Sequence, residues 1–112
     1  MDIAVDTIGD VTVAELPVEE LDASNAAEFK RDVAPLIAAT TNVVFDLSRL
    51  RFADSSGLGA FISCLSRLHA RGGDLKLCRM SPPVRAVFEI VRMHRIFDIF
   101  ATREEAVRAF QD

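Results

Sequence analysis

The sequence predicts an α/β fold of order β-β-α-β-α-β-α-β-α, a mixed sheet with mostly parallel central strands packed against helices. Three observations carry this expectation. The residues from Ile3 to Leu16 alternate about a Gly9-Asp10 turn, as a β-hairpin does. Val43-Val44-Phe45-Asp46-Leu47 is an almost wholly apolar run, which reads as a strand buried on both faces. Around that run, apolar residues recur at helical spacing in segments separated by further short strand signals. Strands alternating with helices favour parallel neighbours joined by right-handed crossovers.

In the first strand pair, Ile3, Val5 and Thr7 alternate with polar or small residues, and Val11 and Val13 resume the alternation up to Leu16 and Pro17. The first helix shows Phe29, Val33, Leu36 and Ile37 on one face, with Asn25 and Glu28 at capping-box spacing. Pro35 inside it removes a backbone donor, so a kink or a broken last turn is expected there. Leu58, Phe61, Ile62, Leu65 and Leu68 trace the second helix, which Gly72-Gly73 ends. Leu75-Lys76-Leu77-Cys78 is the next strand. Ser81-Pro82 is an N-cap with Pro in the first turn of a helix whose apolar face is Val84, Val87, Phe88 and Val91. Ile96-Phe97-Asp98-Ile99-Phe100 alternates as the last strand. Thr102 and Glu105 then form a capping box before Ala106, Val107 and Phe110.

A chain of 112 residues suits one domain, and half of it is hydrophobic, with eight Phe and no Trp or Tyr. Neither a disulfide nor a structural metal is needed at this size. Cys64 and Cys78 form no C-x-x-C pair and read as small core hydrophobes. A formal net charge of −4 opposes approach to DNA or an anionic membrane. Arg85, Arg92, Arg95 and Arg103 could form a local basic stripe, but a solvated mixed-sign face is the favoured reading. The N-terminal residues have neither the basic start nor the apolar stretch of a signal peptide, and no run is long enough to span a bilayer. A cytoplasmic setting is expected.

One segment stands apart from packing: Phe52-Ala53-Asp54-Ser55-Ser56-Gly57-Leu58-Gly59, where a buried strand gives way to a helix. Functional groups gather at the carboxyl edge of open α/β sheets. Free N–H groups and the helix dipole at such a start favour an anion. A plain helix cap explains one of these polar residues, but not two serines and two glycines in one turn. A serine hydrolase would need a histidine brought to the serine. His69 lies thirteen residues from Ser56, roughly 20 Å along a helix, and His94 has no orienting pattern beside it. No Lys-Ser or Lys-Thr follows Gly59 to make a phosphate-binding loop, and no cluster has metal-ligand spacing.

The run Val43-Val44-Phe45-Asp46-Leu47-Ser48 followed by Asp54-Ser55-Ser56-Gly57-Leu58-Gly59 resembles the anti-sigma factor antagonists, the stand-alone members of the sulfate-transporter-and-antagonist (STAS) domain family. Leu21-Asp22-Ala23, Gly72-Gly73-Asp74-Leu75-Lys76-Leu77, Pro82-Pro83-Val84, Phe97-Asp98-Ile99-Phe100 and Glu104-Glu105-Ala106 extend the likeness over nearly the whole chain, implying one STAS domain over 1–112. The resemblance implies a non-enzymatic partner-switching protein that needs no cofactor. Its partners would be a serine-kinase anti-sigma factor, itself using ATP and Mg²⁺, and a PP2C-type phosphatase. Ser56 would be the phosphoacceptor. Asp22, Asp54, Ser55, Gly57, Leu58 and Gly59 would form the switch loop and partner-binding surface. The alternative within the family is a subunit of a stress-signalling assembly or a lipid-transport complex. The chain departs from the family pattern at Glu19, where Gly is common, with Glu20 adding charge beside it. It departs again at Arg92-Met93-His94, where a Gly near the end of the third helix is frequent, and at Pro35.

Overall fold

The computed structural model describes residues 1–111. The elements run β1 (Ala4–Ile8), β2 (Val11–Glu15), β3 (Glu20–Leu21), α1 (Ala26–Ala39), β4 (Asn42–Asp46), β5 (Phe52–Ala53), α2 (Ser55–His69), β6 (Asp74–Cys78), α3 (Pro82–Ile90), a single 3₁₀ turn (Met93–Arg95), β7 (Ile99–Phe100) and α4 (Arg103–Gln111). Five strands form the main sheet in the order β1-β2-β4-β6-β7. Only β1 is antiparallel, held by the hairpin at Gly9-Asp10, where Gly9 takes a φ of +62°. β2, β4, β6 and β7 pair in parallel, as the alternation of strands and helices predicted.

β4 is buried on both faces, with Val43 and Phe45 in one core cluster and Val44 in another. The larger cluster gathers α1, α2 and α3 against one face of the sheet; the smaller joins Val11, Val13, Val44 and Cys78 to Ala106 and Val107 of α4. A file of phenylalanines binds the larger core: Phe29 of α1 meets Phe45 at 5.7 Å, Phe45 meets Phe61 of α2 at 6.0 Å, and Phe61 meets Phe88 of α3 at 6.1 Å. These tilted and edge-on contacts add to the area that the rings bury. Both cysteines lie inside, where burial pushes the Cys64 thiol up to about 11 and that of Cys78 to about 12.

Several local expectations are corrected. Asn25 does not cap α1 with its side chain: its Oδ1 accepts from the Asp22 N–H at 2.9 Å and its Nδ2 donates to the Glu20 carbonyl at 2.8 Å. Glu28, the other half of that capping box, lies 3.0 Å from the Met1 amino nitrogen instead. Pro35 does not break α1, which continues to Ala39, the proline lying on its exposed side. Ser81 occupies the N-cap position of α3, but its hydroxyl donates to the Leu50 carbonyl at 2.9 Å and ties α3 to the β4–β5 link. Ile62 is exposed on α2 and Val91 at the end of α3, so only Val84 and Phe88 of that helix are fully buried. The last strand is two residues, because the 3₁₀ turn takes up the approach: Phe97 points into the core and Ile96 out of it. Arg103 turns to Asp46 and Arg85 lies 3.6 Å from Glu89, so the four arginines form no single stripe.

Arg92 marks the family departure at the end of α3: it adopts the left-handed region, with φ of +61°. An L-residue there costs roughly 1–2 kcal/mol, against the greater chain entropy that glycine loses on folding. Arg92→Gly is therefore expected to raise stability by about 0.5–1 kcal/mol, read as a higher urea midpoint at unchanged slope. A lower midpoint would mean that the arginine side chain stabilises the turn.

Candidate functional site

The site is built where two very short strands bring the β2–α1 segment against the start of α2. β3 and β5 form their own two-stranded parallel sheet, Glu20 opposite Phe52 and Leu21 opposite Ala53. The Glu19 carbonyl accepts from the Arg51 and Phe52 N–H groups at 2.7 and 3.1 Å, and the Asp54 N–H donates to the Leu21 carbonyl at 3.2 Å. Directly after this clasp, Asp54 caps α2. Its Oδ1 accepts from the N–H of Ser56 at 2.9 Å and of Gly57 at 3.1 Å, and its Oδ2 from the N–H of Ala23 at 3.2 Å. One carboxylate thus satisfies the helix start and fastens the neighbouring loop to it.

This corrects one expectation. The N–H groups of Ser56 and Gly57 are not open to an outside anion; Asp54 already holds them, so the helix dipole is met by the protein's own charge. Asp22 stands in that neighbouring loop, one residue before Ala23. Its Oδ1 accepts from both the N–H and the hydroxyl of Ser24, at 2.9 and 2.5 Å. These bonds hold the Asp22 carboxyl below the usual carboxylate range. The i to i+2 bond is an Asx-turn, a signal present in Asp22-Ala23-Ser24 that sequence reasoning passed over. Sequence reasoning also missed the backbone of Leu21 and the N–H of Ala23, because main-chain partners leave no residue-type signature.

Of the segment's residues, Leu58 and Gly57 are explained by packing. Leu58 is buried in the core, and a Cβ on Gly57 would lie 2.2 Å from the Leu21 carbonyl oxygen. Ser55, Ser56 and Gly59 are not. All three are exposed; among the described residues neither serine hydroxyl has a protein partner, and a Cβ on Gly59 would meet nothing within 4 Å. His69 lies at the far end of α2, its Nε2 3.0 Å from Asp74, and His94 falls in the 3₁₀ turn. The described residues hold no group of three or more His, Cys, Asp or Glu side chains arranged to bind a metal. No helix among them is long and apolar enough to cross a membrane.

The site is thus a carboxylate-capped helix start with two exposed, unengaged serines, set in a small α/β domain with a mixed sheet. The chain belongs to the STAS domain family, whose model matches residues 2–106. It is similar to BtrV of Bordetella bronchiseptica, provisionally named an anti-sigma factor antagonist: 32% identical over 112 residues, covering 99% of this chain and 96% of that one. It is 29% identical to the anti-sigma-B factor antagonist of Bacillus subtilis over 89 residues, 80% of this chain and 82% of the other. Among solved structures it resembles the anti-sigma factor antagonist SpoIIAA in its unphosphorylated form, with a TM-score of 0.80 at 27% identity, 98% of this chain and 96% of that one being covered. The phosphorylated form of SpoIIAA, a Bacillus cell fate determinant, matches with a TM-score of 0.71 at 27% identity, over 97% and 99% of the two chains.

Proposed function

We propose that this chain is an anti-sigma factor antagonist: unphosphorylated, it binds a serine-kinase anti-sigma factor, and phosphorylation of Ser56 switches it off. The observation that carries this reading is the pairing of an exposed, unengaged Ser56 hydroxyl with a backbone held rigidly by Asp54, Leu21 and Ala23. A kinase needs an accessible hydroxyl; a binding surface needs a fixed shape. Gly59, which the fold does not require, leaves a flat spot one turn along where a partner backbone can approach.

Phosphate would add about −1.5 to −2 charges on the first turn of α2. Asp54 already occupies the helix start and Asp22 stands in the loop bonded to it, so the phosphate adds charge to a corner that is already negative, and repulsion and desolvation meet a partner closing over the turn. Folding survives and binding does not. A PP2C-type phosphatase would reset the switch.

The test is intact mass with site mapping after incubation with Mg-ATP and a purified serine-kinase anti-sigma factor. One phosphate on Ser56, absent from Ser56→Ala, is the expected result, with Ser56→Asp keeping the wild-type circular dichroism while losing the kinase. An active kinase that leaves the chain unmodified, yet holds it in a stable complex, would make this a constitutive binding subunit of a larger assembly.

A further inference from the structure

We propose that the outer edge of β1 docks an extended, basic segment of a partner protein, added as a further strand of the main sheet. β1 pairs with β2 alone, and all five of its residues are exposed, Val5 at 51% and Ile8 at 43%. In a two-residue hairpin the pair that closes the turn, here Ile8 and Val11, is hydrogen-bonded, and the bonding alternates along an antiparallel strand. Val5 and Thr7 therefore turn their N–H and C=O groups away from β2, and no protein partner meets them among the described residues. Five residues of open, unbulged edge is the kind of strand that proteins ordinarily protect. Beside it, Val5, Thr7 and Thr12 form a groove of about 420 Å³ with Pro35, Leu36 and Ala39 of α1, which side chains at alternate positions of an added strand could enter. Here Pro35 gains a use that packing did not give it.

Charge selects the occupant. Asp2, Asp6 and Asp10 lie along this edge; the one guanidinium that reaches Asp6, that of Arg103 at 3.5 Å, is shared with Asp46 and Glu15, so the edge keeps an excess of negative charge. A second copy is disfavoured, because antiparallel pairing of β1 with itself about its midpoint sets Asp6 against Asp6. A segment with apolar residues on the groove face and Lys or Arg on the Asp6 face satisfies both. This surface is separate from the start of α2, and its occupation does not depend on the state of Ser56.

The probe is a blocked heptapeptide alternating valine with lysine, titrated into the ¹⁵N-labelled protein. The Val5 and Thr7 amides are expected to shift and to become protected from exchange. Thr7→Pro deletes an outward donor without touching the β2 ladder and is expected to weaken binding about tenfold; Asp6→Asn should weaken it about threefold and flatten its salt dependence. A glutamate-for-lysine peptide should not bind. Equal binding by Thr7→Pro, shifts confined to α2, equal binding of the acidic peptide, or β1 protection that rises with protein concentration alone would each overturn the proposal. Should Thr7→Pro lose its amide dispersion, Asp6→Asn with the two peptides decides.

Discussion

Gly57→Ala is expected to cost about 3 kcal/mol, a fall of about 15 °C in Tm, while Gly59→Ala two residues later raises stability by about 0.5–1 kcal/mol. The two glycines share a helix, so intrinsic propensity favours alanine equally at both. The difference is what stands opposite. A Cβ on Gly57 would be 2.2 Å from the Leu21 oxygen and 2.9 Å from its carbonyl carbon, whereas one on Gly59 would be in open space. Leu21 cannot retreat: it is fully buried, its carbonyl accepts from Asp54, and β3 is paired to β5. Relief would have to come from moving α2 off the clasp, which would also loosen the Ala23–Asp54 bond. Thermal unfolding of both variants checks this. A Gly57→Ala protein as stable as wild type would mean that the helix start and β3 are not in contact in solution. Kinase binding adds a second readout: Gly59→Ala, though more stable, is expected to bind more weakly if a partner backbone rests there.

That contrast shows what the sequence could and could not reveal. Periodicity exposed the hairpin, the doubly buried β4 and the apolar stripe of α2, because each has enough residues to repeat. β3 and β5 have two residues apiece, too few for any period, yet they form the clasp that brings Asp22 and Ala23 to Asp54. The Asp-Ser-Ser-Gly turn was legible as a candidate site by composition and by family resemblance. The reason for Gly57 was not, since its constraint is a carbonyl 36 positions away in sequence. Asn25 and Glu28 had the spacing of a capping box, but the main chain of the loop just before the helix claimed Asn25, and the distant Met1 amino group claimed Glu28. Asp46 was passed over as the polar member of an apolar run, because nothing local identifies a partner 57 positions away.

Arg103→Met is expected to lower stability at pH 7 by about 3 kcal/mol, and the deficit should shrink as the pH falls through the acid range in which Asp46 of the variant takes its proton before that of the wild type. Asp46 ends β4 on the face covered by α4 and is fully buried. Arg103 Nε donates to its Oδ2 at 2.5 Å, Arg79 Nη1 to the same oxygen at 3.2 Å, and the Ser48 N–H to Oδ1 at 2.9 Å. Arg103 also reaches Glu15 at 3.4 Å and Asp6 at 3.5 Å, so one guanidinium joins α4 to β1, β2 and β4. Removing one partner of a buried pair costs about 3–5 kcal/mol, and the bonds that Arg79 and Ser48 retain place this case at the lower end. Burial pushes the Asp46 carboxyl up, but the bonds from Arg103 and Ser48 outweigh it and hold the group below the usual carboxylate range. A carboxyl that titrates lower in the folded chain than in the unfolded one stabilises fully above the unfolded value of about 3.9 and loses that contribution as pH falls through the native value. In Arg103→Met, burial is no longer overcome, so Asp46 takes its proton at higher pH and the variant is spared the wild type's loss in acid. Urea unfolding of both proteins at pH 7 and pH 3 measures the difference, and a deficit that stays constant would mean that charge is not what joins the two residues. Asp46→Leu combined with Arg103→Met is expected to recover part of the loss, because an apolar pair of similar volume leaves no buried charge unmatched.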